Sequence, residues 1–178
     1  MIQKTQISSL EELIELLDQS NKEEYRTLGK KINIPISDFE PYIHYESEVY
    51  TRNCIKRTEA YELLLLCWDE GQITPIHCHN NQECWVHVLK GNLHEIRYRG
   101  DAPNLKIEQE LDLLKEGMSY MNDDMGYHSL ENIAKGKAIT LHLYMNPIDE
   151  CNIYDEANQK FELIEMTYHT FEGELVEA

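Results

Sequence analysis

The N-terminal part of the chain repeats its apolar residues with a helical period. The apolar positions are Leu10, Leu13, Ile14 and Leu17. Glu11, Glu12 and Glu15 lie outside this apolar stripe, and Ser9-Leu-Glu-Glu12 has the capping-box pattern that begins a helix. The pattern predicts a helix over residues 9–20. In the polar stretch from Asn21 to Ser37, we expect a second short helix that ends before Pro35.

From Tyr42 onwards, short β-forming runs are separated by turn sequences such as Lys90-Gly-Asn92. Many short strands at regular spacing are typical of an all-β sandwich or barrel. We predict strands near residues 47–54, 61–68, 75–79, 83–89, 92–99, 117–121, 126–131, 137–145 and 161–168. The run Leu63–Trp68 is apolar on both faces, which predicts a strand buried on both sides.

Chain length and composition narrow the class of protein. The 178 residues fit one domain, 1–178, with an N-terminal helical region (1–41) and a β-barrel (42–178). The formal charge of −17 and the lack of clustered Lys and Arg argue against nucleic-acid binding. The sequence contains no apolar run of membrane-spanning length, and residues 1–12 lack the apolar region of a signal peptide. We therefore expect a cytoplasmic protein that binds no membrane.

The cysteines support the same compartment. Their number is odd, and none lies in a CxxC pair: Cys54, Cys67, Cys78, Cys84 and Cys151. This pattern favours a reducing cytosol over a disulfide framework, and it argues against a cysteine-ligated zinc site.

His77 and His79 are the first candidate metal ligands. Two histidines two residues apart on an extended segment point to the same face, because side chains alternate along a strand. Imidazole is a common ligand of transition metals, so the pair predicts part of a metal site.

A third ligand must come from elsewhere in the chain. The other histidines are His44, His87, His94, His128, His142 and His169. Strand parity turns His87 away from the pair. His128 follows a turn, and His142 shares one face of its strand with Thr140 and Tyr144. Parity alone does not choose between His128 and His142.

Two sets of residues resemble the motifs of the cupin superfamily. They are Gly71, His77-x-His79, Cys84 and Gly91 for the first motif, and Gly117, His128 and Asn132 for the second. The resemblance implies a cupin barrel in which His128 is the third ligand. Cys84 stands where cupins commonly have a ligating glutamate, and Glu83, one residue earlier, faces the other way. Three neutral imidazoles leave the charge of a divalent metal uncompensated, which favours an anionic ligand such as a thiolate.

Further segments resemble cysteine dioxygenase, a family of non-haem iron(II) thiol dioxygenases within the cupins. They are Tyr50-Thr-Arg-Asn53, Leu66-Cys-Trp68, His77-x-His79, Cys84, Leu89-x-Gly-Asn-Leu93, His128-x2-Glu-Asn132 and Leu141-His-Leu-Tyr144. The resemblance covers about residues 45–170. It implies an enzyme of cysteine catabolism that oxidises L-cysteine with O₂ to 3-sulfinoalanine, using Fe(2+) held by His77, His79 and His128.

The resemblance also implies roles in substrate binding. Arg52 would bind the substrate carboxylate with help from the Tyr50 hydroxyl. The related 3-mercaptopropionate dioxygenases carry glutamine at the arginine position, so Arg52 points to cysteine. Cys151 and Met166 match positions near the pocket.

Cys84 and Tyr144 match the pair that forms a thioether cross-link in animal members, whereas most bacterial relatives have glycine at the cysteine position. Tyr144 would position or protonate the reacting group. His142 matches a histidine that hydrogen-bonds the tyrosine hydroxyl. The chain departs from the animal pattern at Cys78 and Glu83, and parity turns both away from the metal.

Other functions fit parts of the same pattern. They are oxidation of another small thiol such as 3-mercaptopropionate, a zinc or nickel cupin isomerase, and a non-enzymatic cupin that senses a small ligand. A sensor would carry an output domain, and no basic recognition helix is visible in the sequence. We expect a monomer whose partners are L-cysteine and O₂.

Overall fold

The computed structural model describes residues 6–176, so the ends of the predicted domain, 1–5 and 177–178, lie outside the described residues. The first helix, α1 (Leu10–Gln19), begins at Ser9, whose side chain accepts a hydrogen bond from the Glu12 amide. A second helix, α2 (Lys22–Gly29), begins with a complete capping box between Asn21 and Glu24. Both predicted helices are therefore confirmed, and a 3-10 helix (Ile36–Tyr42) follows them.

The rest of the described chain is mainly β. The strands are β1 (Thr51–Arg57), β2 (Glu62–Trp68), β3 (Glu83–Lys90), β4 (Leu93–Arg99), β5 (Lys106–Leu113), β6 (Met118–Met121), β7 (Tyr127–Asn132), β8 (Ala138–Met145), β9 (Glu150–Asp155), β10 (Lys160–Glu165), β11 (Thr170–Phe171) and β12 (Glu174–Leu175). They form a seven-stranded sheet in the order β12-β11-β1-β2-β8-β3-β6, a three-stranded sheet β5-β4-β7 and a hairpin β10-β9.

The predicted strands differ from the observed ones in particular places. Residues 75–79 form no regular strand; His77 makes only isolated bridges, to His128 and Ile153. The sequence reasoning missed β5, β9 and the two short strands β11 and β12. Strand β5 lies mostly exposed on the surface, and Gln109 interrupts the alternation of its apolar residues Ile107, Leu111 and Leu113.

Strand β2 is buried along its whole length, as its apolar run predicts. Leu63 and Leu65 face the N-terminal helices, and they pack in one core with Leu13 and Leu17 of α1. The alternate residues, including Leu64, face the other way. There they pack in a second core with residues of the three-stranded sheet: Leu93, Leu113 and Leu130. The second core lies in the interior between the two larger sheets, and the candidate site lies beside it.

The segment that carries His77 and His79 is fixed by backbone contacts rather than by a strand. His77 and His128 exchange two backbone hydrogen bonds, with N···O distances of 3.0 and 2.9 Å. The Asp123 carboxylate accepts hydrogen bonds from the backbone amides of His79 (2.9 Å) and Asn81 (2.7 Å). Asn80 and Asn81 adopt left-handed backbone angles, with φ of 50° and 64°. Asparagine tolerates this conformation better than most residues. These contacts hold the segment against β7 at the mouth of the interior.

Candidate metal centre

Three histidines converge at the edge of the interior. His77, His79 and His128 each offer a ring nitrogen, and these nitrogens lie within 4.8 Å of one another. His79 and His128 are almost fully buried. Among the described residues, this is the cluster with metal-ligand geometry, and it contains His128 rather than His142. The structure thus brings His128, and not His142, into a cluster with the pair.

Hydrogen bonds orient two of the three rings. His77 Nδ1 lies 2.9 Å from the Pro75 carbonyl oxygen, which can only accept, so His77 must donate from Nδ1. His128 Nδ1 lies 2.8 Å from Glu95 Oε1 and likewise donates. In both rings the lone pair is left on Nε2, the nitrogen available to a metal.

The nitrogens fit a shared metal ion. His79 Nε2 and His128 Nε2 are 3.1 Å apart. Two imidazole nitrogens that each lie about 2.1 Å from one ion are separated by about 3.0 to 3.4 Å, so the spacing suits a bound cation. Burial and the neighbouring His128 lower the pKa of His77 to about 3, and burial also lowers the pKa of His79 well below its usual value. Both rings are therefore neutral at physiological pH, as ligation requires.

Glu95 is a residue of the site that the sequence reasoning missed. It is fully buried on β4 and accepts hydrogen bonds from His128, from Ser119 Oγ (2.6 Å) and from Arg97 Nη2 (3.2 Å). Burial alone raises the pKa of Glu95, but these three partners outweigh it and lower the pKa to about 2. A signal was present in the sequence: Glu95 shares the inward parity of Leu93 on the predicted strand 92–99.

The cluster contains no carboxylate ligand. Cys84 is buried on the inner side of β3, and Glu83 faces outward, where its carboxylate accepts hydrogen bonds from Arg26 and Tyr120, each at 2.8 Å. The outward direction predicted for Glu83 is thus what the structure shows. His87, also predicted to face away, lines a surface groove between β3 and the segment around Pro35.

Arg52 lies in the wall of a small cavity that the three histidines also line. Its side chain is buried, and Nε donates to the Thr167 carbonyl oxygen at 3.1 Å. Nη2 is buried without a hydrogen-bond partner among the described residues. Burial alone would lower the pKa of Arg52, but Tyr144, Tyr50 and Glu62 raise it above its ordinary value. A charged donor with a free N–H in a buried cavity calls for an anionic acceptor.

Tyr50 lies next to Arg52, just before β1 begins. Its ring stacks on Trp68, with centroids 4.8 Å apart, and burial raises the pKa of its hydroxyl. Tyr50 and Arg52 both line the cavity, so the predicted pair is brought together.

Cys84 and Tyr144 are opposite each other on the adjacent strands β3 and β8. Burial raises the pKa of both side chains, Tyr144 well above its ordinary value, so thiol and phenol are protonated. Tyr144 lines the cavity with the histidines, and its ring centroid is 5.5 Å from that of His79.

His142 has partners other than the tyrosine hydroxyl expected from the family resemblance. Its Nε2 lies 2.8 Å from Thr140 Oγ1, and its Nδ1 lies 3.9 Å from Cys84 Sγ. Trp68 Nε1 donates to the same Thr140 oxygen at 2.9 Å, so the Thr140 hydroxyl is free to donate to His142. The expected partner of His142 was therefore wrong: Thr140 and Cys84, rather than the Tyr144 hydroxyl, contact its two ring nitrogens. The rings of His142 and Tyr144 lie stacked, with centroids 6.3 Å apart.

The cavity beside the histidines is small, about 30 Å³. Cys151 and Met166, predicted to lie near the pocket, contribute to its wall. A surface groove of about 530 Å³ shares Tyr50, Arg52 and Pro75 with the cavity, so it provides an approach from solvent. The volume of the groove, unlike that of the cavity, lies in the range of small-molecule sites.

Comparison with known proteins identifies the family of the chain. Residues 3–157 match the family model described as cysteine dioxygenase type I. The chain belongs to this family. It is 30% identical to human cysteine dioxygenase type 1 over 158 residues, covering 86% of this chain and 79% of the human protein. It is 29% identical to the zebrafish (Danio rerio) protein of the same name over 180 residues, covering 93% and 89%. This family membership makes the protein an oxygenase, and the three histidines indicate a metal cofactor.

The fold is shared more widely than the family. A solved structure of a Klebsiella pneumoniae protein with a double-stranded β-helix domain matches with a TM-score of 0.50 and 16% sequence identity, covering 70% of this chain and 92% of that one. The mainly β cupin fold expected from the sequence is thus confirmed. None of the described helices is long and apolar enough to cross a membrane.

Proposed function

We propose that this protein is an iron(II)-dependent thiol dioxygenase that oxidises L-cysteine with O₂ to 3-sulfinoalanine in cysteine catabolism. The observation that carries the proposal is a cluster of three histidines without a carboxylate, in one cavity with a buried guanidinium that has a free N–H. The family relationship supports the same reaction. The reaction balances without a reductant, because one thiol and one O₂ give one sulfinic acid.

His77, His79 and His128 would hold the iron through their Nε2 atoms. When bound, iron(II) supplies a Lewis-acidic, redox-active centre with open positions for thiolate and O₂. Three neutral ligands leave its charge of two uncompensated, which favours the thiolate over the thiol. Glu95 keeps His128 in the ligating tautomer through the 2.8 Å hydrogen bond to Nδ1.

Arg52 would bind the carboxylate of cysteine through its free Nη2, and the Tyr50 hydroxyl would assist. Because Nε is occupied by the Thr167 carbonyl, the guanidinium plane is held in one orientation. This arrangement fixes the substrate at the end opposite the sulfur, which orients the thiolate toward the histidines.

Tyr144 would act at the sulfur end of the substrate. Its hydroxyl stays protonated because burial raises its pKa, so it can donate a hydrogen bond to oxygen transferred to sulfur. His142 would restrain Cys84 on the neighbouring strand, through the Nδ1–Sγ contact of 3.9 Å. We further propose a thioether cross-link between Cys84 Sγ and the Tyr144 ring. The new S–C bond replaces the Cys84 S–H bond and one ring C–H bond of Tyr144, and O₂ takes up the two protons and two electrons as H₂O₂.

The reaction is tested by supplying iron(II), L-cysteine and ¹⁸O₂ to the purified protein and measuring the product by mass spectrometry. We expect 3-sulfinoalanine carrying two labelled oxygens. Zinc- or nickel-loaded protein is the control and should give none, which separates a dioxygenase from a cupin isomerase. Iron-loaded protein that forms no sulfinate would contradict the proposal.

The cross-link is tested on the same samples. Intact mass after turnover should fall by two hydrogen atoms, and a Cys84→Ser variant should show no change. An unchanged mass after many turnovers would show that Cys84 and Tyr144 stay unlinked. We also propose that the enzyme acts as a monomer in the cytosol. Its five cysteines are all free and buried, which suits a reducing compartment.

A further inference from the structure

The segment before β11 contacts Arg52 at two positions. The Thr167 carbonyl accepts a hydrogen bond from Arg52 Nε at 3.1 Å. His169 Nδ1 accepts from the Arg52 backbone amide at 3.0 Å, and the His169 amide donates to the Arg52 carbonyl at 2.8 Å. These contacts lie on either side of Tyr168. Tyr168 therefore lies between the two residues that contact Arg52.

The Tyr168 hydroxyl lies in a closed triangle of polar groups. It donates a hydrogen bond to Glu62 Oε1 and accepts one from Arg57 Nη1 at 2.5 Å. Arg57 Nη1 also donates to Glu62 Oε1 at 3.1 Å. The Glu62 side chain is completely buried, and a buried carboxylate is costly unless its partners stay in place. The triangle therefore holds the Tyr168 hydroxyl in one position.

The same triangle reaches a second wall of the cavity. Glu62 Oε2 lies 3.5 Å from the backbone amide of Ile148, a residue that lines the cavity. Arg57 Nη2 lies 2.5 Å from Asp149 Oδ1. The triangle thus connects two segments that flank the proposed carboxylate site. Within residues 6–176, none of its hydrogen bonds involves His77, His79 or His128.

We infer that Tyr168, held by Glu62 and Arg57, is a positioning residue that orients the Arg52 guanidinium and so sets affinity for the substrate carboxylate. The inference rests on the proposed binding of cysteine by Arg52. An arginine side chain has many rotamers, and a fixed plane reduces the entropy that is lost on binding a carboxylate. Without the Tyr168 hydroxyl, the segment can shift, and Thr167 no longer fixes Nε.

The test compares two thiols that differ in the carboxylate. Binding of L-cysteine and of cysteamine, which lacks the carboxylate, is measured by anaerobic calorimetry on iron-loaded wild type and Tyr168→Phe. We expect affinity for cysteine to fall about tenfold, the effect of losing one hydrogen bond to a charged group, with cysteamine changed less than about twofold.

Tyr61→Phe is the matched control. The Tyr61 hydroxyl donates to Asp18 Oδ1 at 2.7 Å, and Tyr61 packs in the core that faces the helices, so this variant loses a tyrosine–carboxylate bond outside the triangle. It should bind both thiols as the wild type does. Equal weakening of cysteine and cysteamine by Tyr168→Phe, or no weakening of either, overturns the inference.

A second measurement separates this inference from the proposed function. Hydrogen exchange of the Arg52 amide, which donates to His169, is followed in metal-free protein without substrate. Exchange should be faster in Tyr168→Phe than in wild type or Tyr61→Phe, and unchanged exchange overturns the positioning role. Wild type that binds no cysteine would refute the proposed function, whatever the exchange shows. If Tyr168→Phe does not fold, Arg57→Lys, which keeps the charge but loses the fork, is measured with the same expectations.

Discussion

The two faces of strand β8 differ in chemistry although they alternate residue by residue. The outer face consists of Ile139, Leu141, Leu143 and Met145, which pack in the core beneath the helices. The inner face carries Thr140, His142 and Tyr144, and the last two line the cavity. One strand thus serves a purely apolar core on one side and a polar site on the other. Strand parity therefore separates stability from chemistry in β8. A substitution on the outer face should change stability and leave the site unchanged, and a substitution on the inner face should do the reverse.

The largest expected effect is the loss of metal binding when a proposed ligand that faces the interior is removed. A buried histidine that faces outward provides the matched control. His128→Ala should weaken iron(II) or cobalt(II) binding by at least about a hundredfold and abolish sulfinate formation, because one of three ligands is lost. His87→Ala removes a buried histidine from the outer face of β3. Metal titration followed by absorbance should show wild-type affinity for it. Similar losses in both variants would refute the division between the faces.

A smaller effect is expected from the outer face of β8. Leu141→Ala leaves a cavity in the helix-facing core, which should cost about 3 kcal/mol of unfolding free energy. Urea denaturation of the metal-free protein measures this loss. Metal affinity and KM for cysteine should be those of the wild type at temperatures where the variant is folded. A change in KM without a loss of stability would contradict the comparison.

Arg52 tests the substrate end of the inner site. Arg52→Gln should raise KM for cysteine about thirtyfold, or about 2 kcal/mol, because a neutral amide replaces a charged donor. Metal affinity should stay unchanged, since no metal ligand is altered. Relative turnover of 3-mercaptopropionate should rise, and steady-state assays with the two thiols measure the ratio. An unchanged ratio would remove Arg52 from substrate selection.

The smallest effect is expected at the outward-facing Glu83. Arg26 and Tyr120 lower the pKa of Glu83 against the effect of partial burial. Because the folded pKa is lower than the unfolded one, this carboxylate stabilises the protein above the unfolded pKa, and the contribution is lost as the pH falls. Glu83→Gln should therefore cost about 0.5 kcal/mol at pH 7, and the difference should shrink as the pH falls through the folded pKa of Glu83. Denaturation over a series of falling pH values measures it, and a constant difference would contradict the assignment.

Local patterns predicted most of the elements. The apolar period predicted α1, and the two-sided apolar run predicted the burial of β2. The strand predicted over 75–79 is wrong, because isolated bridges and the Asp123 carboxylate shape that segment instead. Strand β5 was missed although Ile107, Leu111 and Leu113 share one parity, because Gln109 interrupts the alternation.

The candidate site, too, was predicted in part from the sequence. The His77-x-His79 spacing indicated a metal site before any fold was known. The structure then showed that His128 Nδ1 donates a hydrogen bond to the Glu95 carboxylate. It also showed that the ring nitrogens of His142 contact Thr140 and Cys84. Such contacts join residues far apart in the chain, so spacing and parity do not predict them.

The sequence by itself determined which residue types the chain offers and which face each one takes, because side-chain alternation is a local property of the backbone. It therefore determined the absence of a carboxylate at Cys84 and the outward direction of Glu83. It also supplied the two histidines, but backbone contacts of His77 and His79 with other segments set their shared direction. The tertiary structure decided which inward residues meet. It selected His128 over His142, and it set Tyr168 against Glu62, because convergence depends on how separate strands are paired and how the two sheets pack.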